Sequence, residues 1–434
     1  MMDAALKSLI LENVSALKDE MIQAVSQLVK IKSVTPGFGW LPECSLSGET
    51  AVNEYTKSIL DKLGAETELY EKTPGRKNLC AHYRGTGGGR SLLFNGHVDV
   101  VPPGNMDDWG GDDPFSGRVD DAFIYGRGSV DMKGGNLAAV FALKALQNAG
   151  MHLKGDVVFQ NVVGEEQKEN ELGTTACLEK GYTADAAIVC EPTCTKSDPF
   201  MIHVASVGVI EMKWAVKGKS CHVGLRREVV RDGGEGKAVG VDAFEKGWLI
   251  YQALKQLERQ WGQSKKHPLY KAGQFCINAA TVTGGTAPSF VPADMSMSYA
   301  ITYPPQENAQ DIQEEIETCV RRACQNDPWL RENPPEITWI FNWPSFETDP
   351  NSEICALLQQ SVREVCAAGG QHSGFIAVCD ASFLEEKGIP VVVCGPGDAK
   401  YIHGAKEKLS ISQLMDAAQI YALTMARWCG VEIS

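Results

Sequence analysis

LLFNGHVDVVPPG, residues 92–104, decides how the chain is read. Leu92, Leu93 and Phe94 form the short apolar run of a buried strand, and His97 and Asp99 follow it directly. Strand side chains alternate between faces, so positions i and i+2 share one. If the strand continues that far, the imidazole of His97 and the carboxylate of Asp99 stand side by side. If it ends at Gly96, the turn must arrange them instead. In open α/β sheets, ligands bind beyond the carboxyl ends of such strands.

Working outward, a helix is expected around residues 50–63 and strands near 67–70 and 78–83. GGNLAAVFALKALQNAG, residues 134–150, reads as an Ala/Leu-rich helix closed by a glycine. DVVFQNVVG and AAIVC are apolar runs bounded by turn signals, so they read as buried strands. From about Ser206 the texture changes: VGVIEMKWAVKG, FCINAATVTGG and DMSMSYAITY alternate apolar and polar residues, as half-buried strands do. With amphipathic helices at 241–260 and 309–325 and a strand at 337–341, the order is strand, helix, two strands, helix, strand. After Pro344 come a helix near 352–367, the strand PVVVCG and a last helix from Ser412. The expected fold class is therefore an α/β domain with a mostly parallel sheet, interrupted by an inserted α+β (ferredoxin-like) layer. The boundaries fall at 1–205, 206–343 and 344–434.

The chain has 434 residues, room for two domains, and its 44% hydrophobic and 22% charged residues are the balance of a soluble globular protein. A formal net charge of -14 argues against nucleic acid as a partner, because phosphate binding relies on Lys and Arg. No apolar run approaches the roughly 20 residues needed to span a bilayer. The first 30 residues read as an amphipathic helix rather than a signal peptide, so a cytoplasmic location is expected. The fourteen cysteines are scattered, which suits reduced thiols; Cys190 and Cys194 lack a second pair at zinc-finger spacing.

Five polar clusters follow apolar strands or lie in adjoining loops: His97 with Asp99, Asp131 in YGRGSVDMKGG, Glu165 and Glu166, Glu191 after AAIVC, and His403 after PVVVCGPGDAKYI. Singly, each has an ordinary reading as a loop residue, helix cap or solvated charge pair. Together, two histidines and several carboxylates at strand ends form the nitrogen and oxygen donor set that suits zinc or a similar divalent ion.

GHVDVVPPG, DPFSG with YGRGSVDMKGG, GEEQ, CEPT and IHGAKE, in this order across nearly the whole chain, resemble the zinc-dependent aminoacylase and carboxypeptidase family. That family includes acetylornithine deacetylase, succinyl-diaminopimelate desuccinylase and glutamate carboxypeptidases. The resemblance implies a catalytic domain with an inserted lid and two divalent ions, zinc first and cobalt as the alternative. Asp131 would bridge the ions, His97 and Glu191 completing one and Glu166 and His403 the other. Glu165 resembles the general base acting on a bridging hydroxide, and Asp99 the carboxylate that accepts the other N–H of His97. His222, in KGKSCHVG, resembles the lid histidine that stabilises the oxyanion, reaching the other subunit in dimeric members. A glutamate at 191 accompanies deacylases and glutamate carboxypeptidases. The implied activity is hydrolysis of an N-acyl amino acid or related amide, acetylornithine deacetylase-like, in a homodimer formed through the lid. A metallo-carboxypeptidase or dipeptidase is the first alternative, and a non-catalytic protein binding an amino-acid derivative the second.

Two departures touch substrate choice. SYAITYPP has Ile301 and Thr302 where the family often carries an arginine for the substrate carboxylate, and GGTAPSFVPADM has Ser289 near a usual asparagine. LRREVVRDGGEG is longer and more charged than the family pattern, and Arg226, Arg227 or Arg231 is a candidate partner for an acidic group.

Overall fold

The structure, a computed structural model, describes residues 2–37, 47–196, 198–231 and 239–433. The side chain of Arg231 and the glycine-rich stretch 233–236 lie outside the described residues. The chain divides into two units, one of residues 1–204, 348–373 and 379–434, the other of 205–347 and 374–378. Residues 344–347 and 374–378, expected with the α/β part, group with the second unit. There Ala205 bridges Glu347, and the Tyr270 hydroxyl donates to the Phe375 carbonyl at 3.0 Å.

An eight-stranded mixed sheet organises the first unit. Its centre is four parallel strands in the order Val157–Val162, Leu92–His97, Ala186–Val189, Val391–Val393. Antiparallel strands flank them: Asn78–Tyr83 and Glu66–Tyr70 on one side, Ile202–Ser206 on the other, and His372–Phe375 lies beyond Ile202–Ser206 as the eighth strand. The four central strands are buried along their whole lengths, which is why they read as continuous apolar runs. Helices Gly134–Asn148 and Ile411–Cys429 pack together, and most of their residues are buried. The expected single N-terminal helix is two, Ala4–Ala16 and Lys18–Lys30, divided at Leu17, whose N–H turns back to Val14. No helix among the described residues is long and apolar enough to cross a membrane.

The second unit is a four-stranded antiparallel sheet in the order Ile277–Gly284, Asp294–Tyr303, Gly208–Lys217, Glu336–Trp343. Strand Gly208–Lys217 buries alternate residues, as the period-2 pattern requires. Helices Ala243–Ser264 and Ala309–Gln325 cover that face, and Trp214, Ile250, Trp261, Tyr299 and Ile316 share the core. This βαββαβ order is ferredoxin-like.

Candidate metal centre

The central strand ends at His97, so Asp99 belongs to the turn beyond it. Gly96 lets the chain pass close to the helix that starts at Gly134: a Cβ there would stand 2.0 Å from Asn136 Oδ1 and 2.6 Å from Met132 Cε. Asn136 in turn donates to the His97 carbonyl at 2.9 Å. The neighbouring strand Val157–Val162 leads through Gly164, at φ +85°, to Glu165 and Glu166. Strand Ala186–Val189 leads to Cys190, whose N–H donates to the Asn95 carbonyl at 3.0 Å, and then to Glu191. Asp131 sits in the turn before the Gly134 helix, and His403 follows a short 3-10 turn beyond the fourth strand.

These ends converge on Asp131. Its Oδ1 lies 3.0 Å from His97 Nε2, which is also 3.5 Å from Glu191 Oε1. Its Oδ2 lies 3.3 Å from His403 Nε2, which is also 3.0 Å from Glu166 Oε2. One carboxylate thus presents each oxygen to a different imidazole, and each imidazole has a second carboxylate beside it. Ligand atoms of His97, Asp131 and Glu166 all lie within 4.8 Å of one another.

The expected carboxylate contact of Asp99 with His97 is replaced by a main-chain one. His97 Nδ1 donates to the Asp99 carbonyl at 2.9 Å, while the Asp99 carboxylate stands 3.8 Å away. That carboxylate instead accepts the N–H of Gly164 at 3.0 Å and of Glu166 at 3.1 Å. The physical reason is the end of the strand at His97: beyond it Asp99 turns its side chain toward the Gly164–Glu166 turn.

The electrostatics test whether this donor set suits a cation. With Nδ1 donating, a neutral His97 ring aims the Nε2 lone pair at two carboxylate oxygens, so only a proton or a cation can hold that point. Accordingly, although burial opposes charging, Asp131 and Glu191 push the His97 imidazole well above its usual range. Hydrogen bonds to Asp131 and Glu166 raise His403 to about 10. Burial works against ionisation of Asp131, yet His403 and His97 hold its carboxyl well below the usual range. Burial lifts Glu166 to about 7 and raises Glu191. Burial also lifts Glu165 far above an ordinary glutamate, with Glu191, Glu166 and Asp380 adding to the shift. An array of carboxylates and imidazoles crowded this tightly fits divalent cations, with nitrogen and oxygen donors in the proportions zinc accepts.

Three residues escaped the sequence reading. Glu407 and Arg127 lie inside the quoted motifs but carried no role; both are fully buried and ion-paired at 2.6 Å. Asp380 is buried and raised to about 7 by desolvation; nothing in AVCDASF marked it out.

Residues 93–427 match the family described as Peptidase family M20/M25/M40. The chain belongs to that family. It is 32% identical over 435 residues to the N-formyl-4-amino-5-aminomethyl-2-methylpyrimidine deformylase of Halalkalibacterium halodurans, covering 97% of each chain. Among solved structures, aminopeptidase PepT from Bacillus cereus superposes with a TM-score of 0.73 at 18% identity, covering 94% of this chain and 98% of that one. The Bacillus subtilis YXEP protein, described as a dinuclear metal binding peptidase, superposes with a TM-score of 0.65 at 15% identity, covering 95% and 99%. The chain is thus a family hydrolase of the metal-dependent, amide-cleaving kind.

His222 lies on the second unit, exposed, in a segment bridged to Phe290. Its Nδ1 accepts the Gly224 N–H at 3.1 Å. Of the three positions that depart from the family pattern, Ser289 is exposed and its carbonyl accepts the Val223 N–H at 2.9 Å, while the other two serve the fold. Ile301 is core, and the Thr302 hydroxyl accepts the Cys276 N–H at 2.9 Å. Arg226, a candidate for an acidic ligand, is engaged by Asp242 at 2.8 Å and by Glu245. Arg227 is exposed.

Proposed function

We propose that the protein is a two-metal amidohydrolase that removes a small acyl group, formyl first among them, from the nitrogen of an amine. The observation that carries this reading is the split of Asp131, one oxygen toward His97 and Glu191, the other toward His403 and Glu166. Those five residues would hold the ions, zinc by donor chemistry and cobalt as a working substitute. When bound, the ions supply Lewis-acid polarisation of the scissile carbonyl, activation of water and charge for the oxyanion. Glu165 takes the proton of the attacking water and delivers it to the leaving nitrogen, a task for a carboxylate that stands beside the ions without holding either. Asp99 orients His97 through its main chain and the Glu165–Glu166 turn through its side chain. His222 accepts at Nδ1, so its neutral ring carries the proton on Nε2, the donor that an oxyanion requires. The formyl preference is supported by likeness along the whole chain to the deformylase.

A homodimer through the second unit belongs to the same reading. Among the described residues, strand Ile277–Gly284 is an open sheet edge, and Phe244, Trp248 and Val282 expose apolar surface beside it. A second copy adding its own edge strand satisfies both the backbone and the apolar face.

The test is amine release by zinc- and cobalt-loaded protein from N-formyl, N-acetyl and N-succinyl amines and amino acids beside short peptides. Turnover fastest on formyl amides, abolished by a chelator and restored by metal, is expected. Fastest turnover of peptides makes the chain a peptidase instead, and no turnover with two ions bound rejects the proposed substrate class.

A further inference from the structure

We infer that the buried Arg127–Glu407 pair is a positioning device that sets Asp131 and His403 in register, and that the ion on the His403 side depends on it more than the ion on the His97 side. This rests on the two-ion reading above.

Glu407 Oε1 accepts three backbone N–H groups, from Gly128 at 3.0 Å, Val130 at 2.9 Å and Asp131 at 3.2 Å. One oxygen thereby fixes the turn that carries Asp131. Its Oε2 receives Arg127 Nη1 at 2.6 Å. Arg127 Nη2 then reaches the carbonyl oxygens of His403 and Pro102, each at 3.3 Å. The Gly126 N–H donates to the Glu407 carbonyl at 2.9 Å, closing the circuit through the main chain. The planar fork of arginine makes this possible, since one guanidinium addresses a carboxylate and two carbonyls in fixed directions.

The asymmetry follows from how each ligand is anchored. His97 ends a central strand, and Glu166 and Glu191 stand just past two others. His403 comes from a loop, holds φ at +55°, which non-glycine residues rarely adopt, and has a side chain 53% exposed. Its backbone therefore depends on neighbours, and Arg127 and Glu407 connect it to the Asp131 turn.

The test compares Arg127→Lys and Glu407→Gln with the wild type by titrating zinc against a competing chelator, with calorimetry and thermal melts alongside. Lysine keeps the charge but loses the fork. Glutamine keeps one oxygen for the N–H groups but turns an amide N–H₂ toward the guanidinium. The expected result is two ions in the wild type, the second weakened roughly 10- to 100-fold in either variant and the first unchanged. Equal weakening of both ions, or of neither, overturns the inference. If Arg127→Lys does not fold, Glu407→Gln gives the answer. A wild type that binds fewer than two ions defeats the two-ion reading itself, which is a separate outcome.

Discussion

The carboxylate of Asp99 accepts the backbone N–H of Glu166 at 3.1 Å. The same carboxylate takes the Gly164 N–H, while the Asp99 carbonyl takes His97 Nδ1. One residue thus sets two neighbouring strand ends against each other, and does so with different atoms.

Asp99→Asn separates these roles. The main-chain contact to His97 survives, but an amide offers only one oxygen to the two N–H groups and places its own N–H₂ against the other. Activity is expected to fall roughly 10- to 100-fold, with weaker metal binding. Stability is expected to fall by about 1–3 kcal/mol. Steady-state kinetics and urea melts check this, and wild-type values in both would remove Asp99 from the site.

Glu165→Gln keeps the size of the side chain and removes its proton transfer. The expected loss in kcat is about 10²- to 10⁴-fold, with two ions per chain retained by elemental analysis. Near-normal turnover in this variant would mean that another group moves the proton.

Gly96→Ala is expected to damage the centre from behind. The new methyl meets Asn136 Oδ1, so the asparagine must leave the His97 carbonyl. Overpacking of this kind costs about 1–3 kcal/mol, and metal affinity falls with it. A variant with unchanged melting and metal content would show that the strand end yields freely.

His203, buried with Nδ1 2.8 Å from the Ser373 hydroxyl, is pushed by desolvation down to about 4 from the usual 6.5. The folded protein therefore favours the neutral ring. Its contribution is fully present above the unfolded value and is lost as pH falls toward about 4. Integrated over that window it amounts to about 3 kcal/mol. His203→Gln is expected to flatten the fall in stability between neutral and acid pH, read by denaturant melts across that range. An unchanged slope would place the acid sensitivity elsewhere.

Val282→Lys tests the dimer. Val282 is 60% exposed on the open edge strand, so a lysine there is harmless to a monomer but puts charge into an interface. Sedimentation is expected to give a dimer for the wild type and a monomer for the variant. A wild-type monomer would reject the dimer and leave His222 without a route to another subunit.

The strand Leu92–His97, the helix after Asp131 and the ferredoxin-like layer were legible because their periods and punctuation are local: apolar runs for buried strands, alternation for half-buried ones, Ala/Leu density for a helix. His97, Asp131, Glu166, Glu191 and His403 were legible as a nitrogen and oxygen donor set, and the fold brings them together around Asp131; Glu165 stands beside them as the proposed base. The Asp99 contact was misread because it turns on whether the strand stops one residue sooner or later, which propensity does not resolve. Arg127 and Glu407 stand 280 positions apart, and no local pattern connects them.

Sequence by itself determined which nitrogen and oxygen donors follow the apolar runs, because side-chain type and spacing are covalent facts. Only the tertiary structure decided which oxygen of Asp131 faces which histidine, whether Asp99 acts through its carbonyl or its carboxylate, and that one buried ion pair joins the Asp131 turn to the His403 loop. Those outcomes depend on where segments distant in the chain come to rest against one another, and a hydrogen bond is won or lost over a few tenths of an ångström.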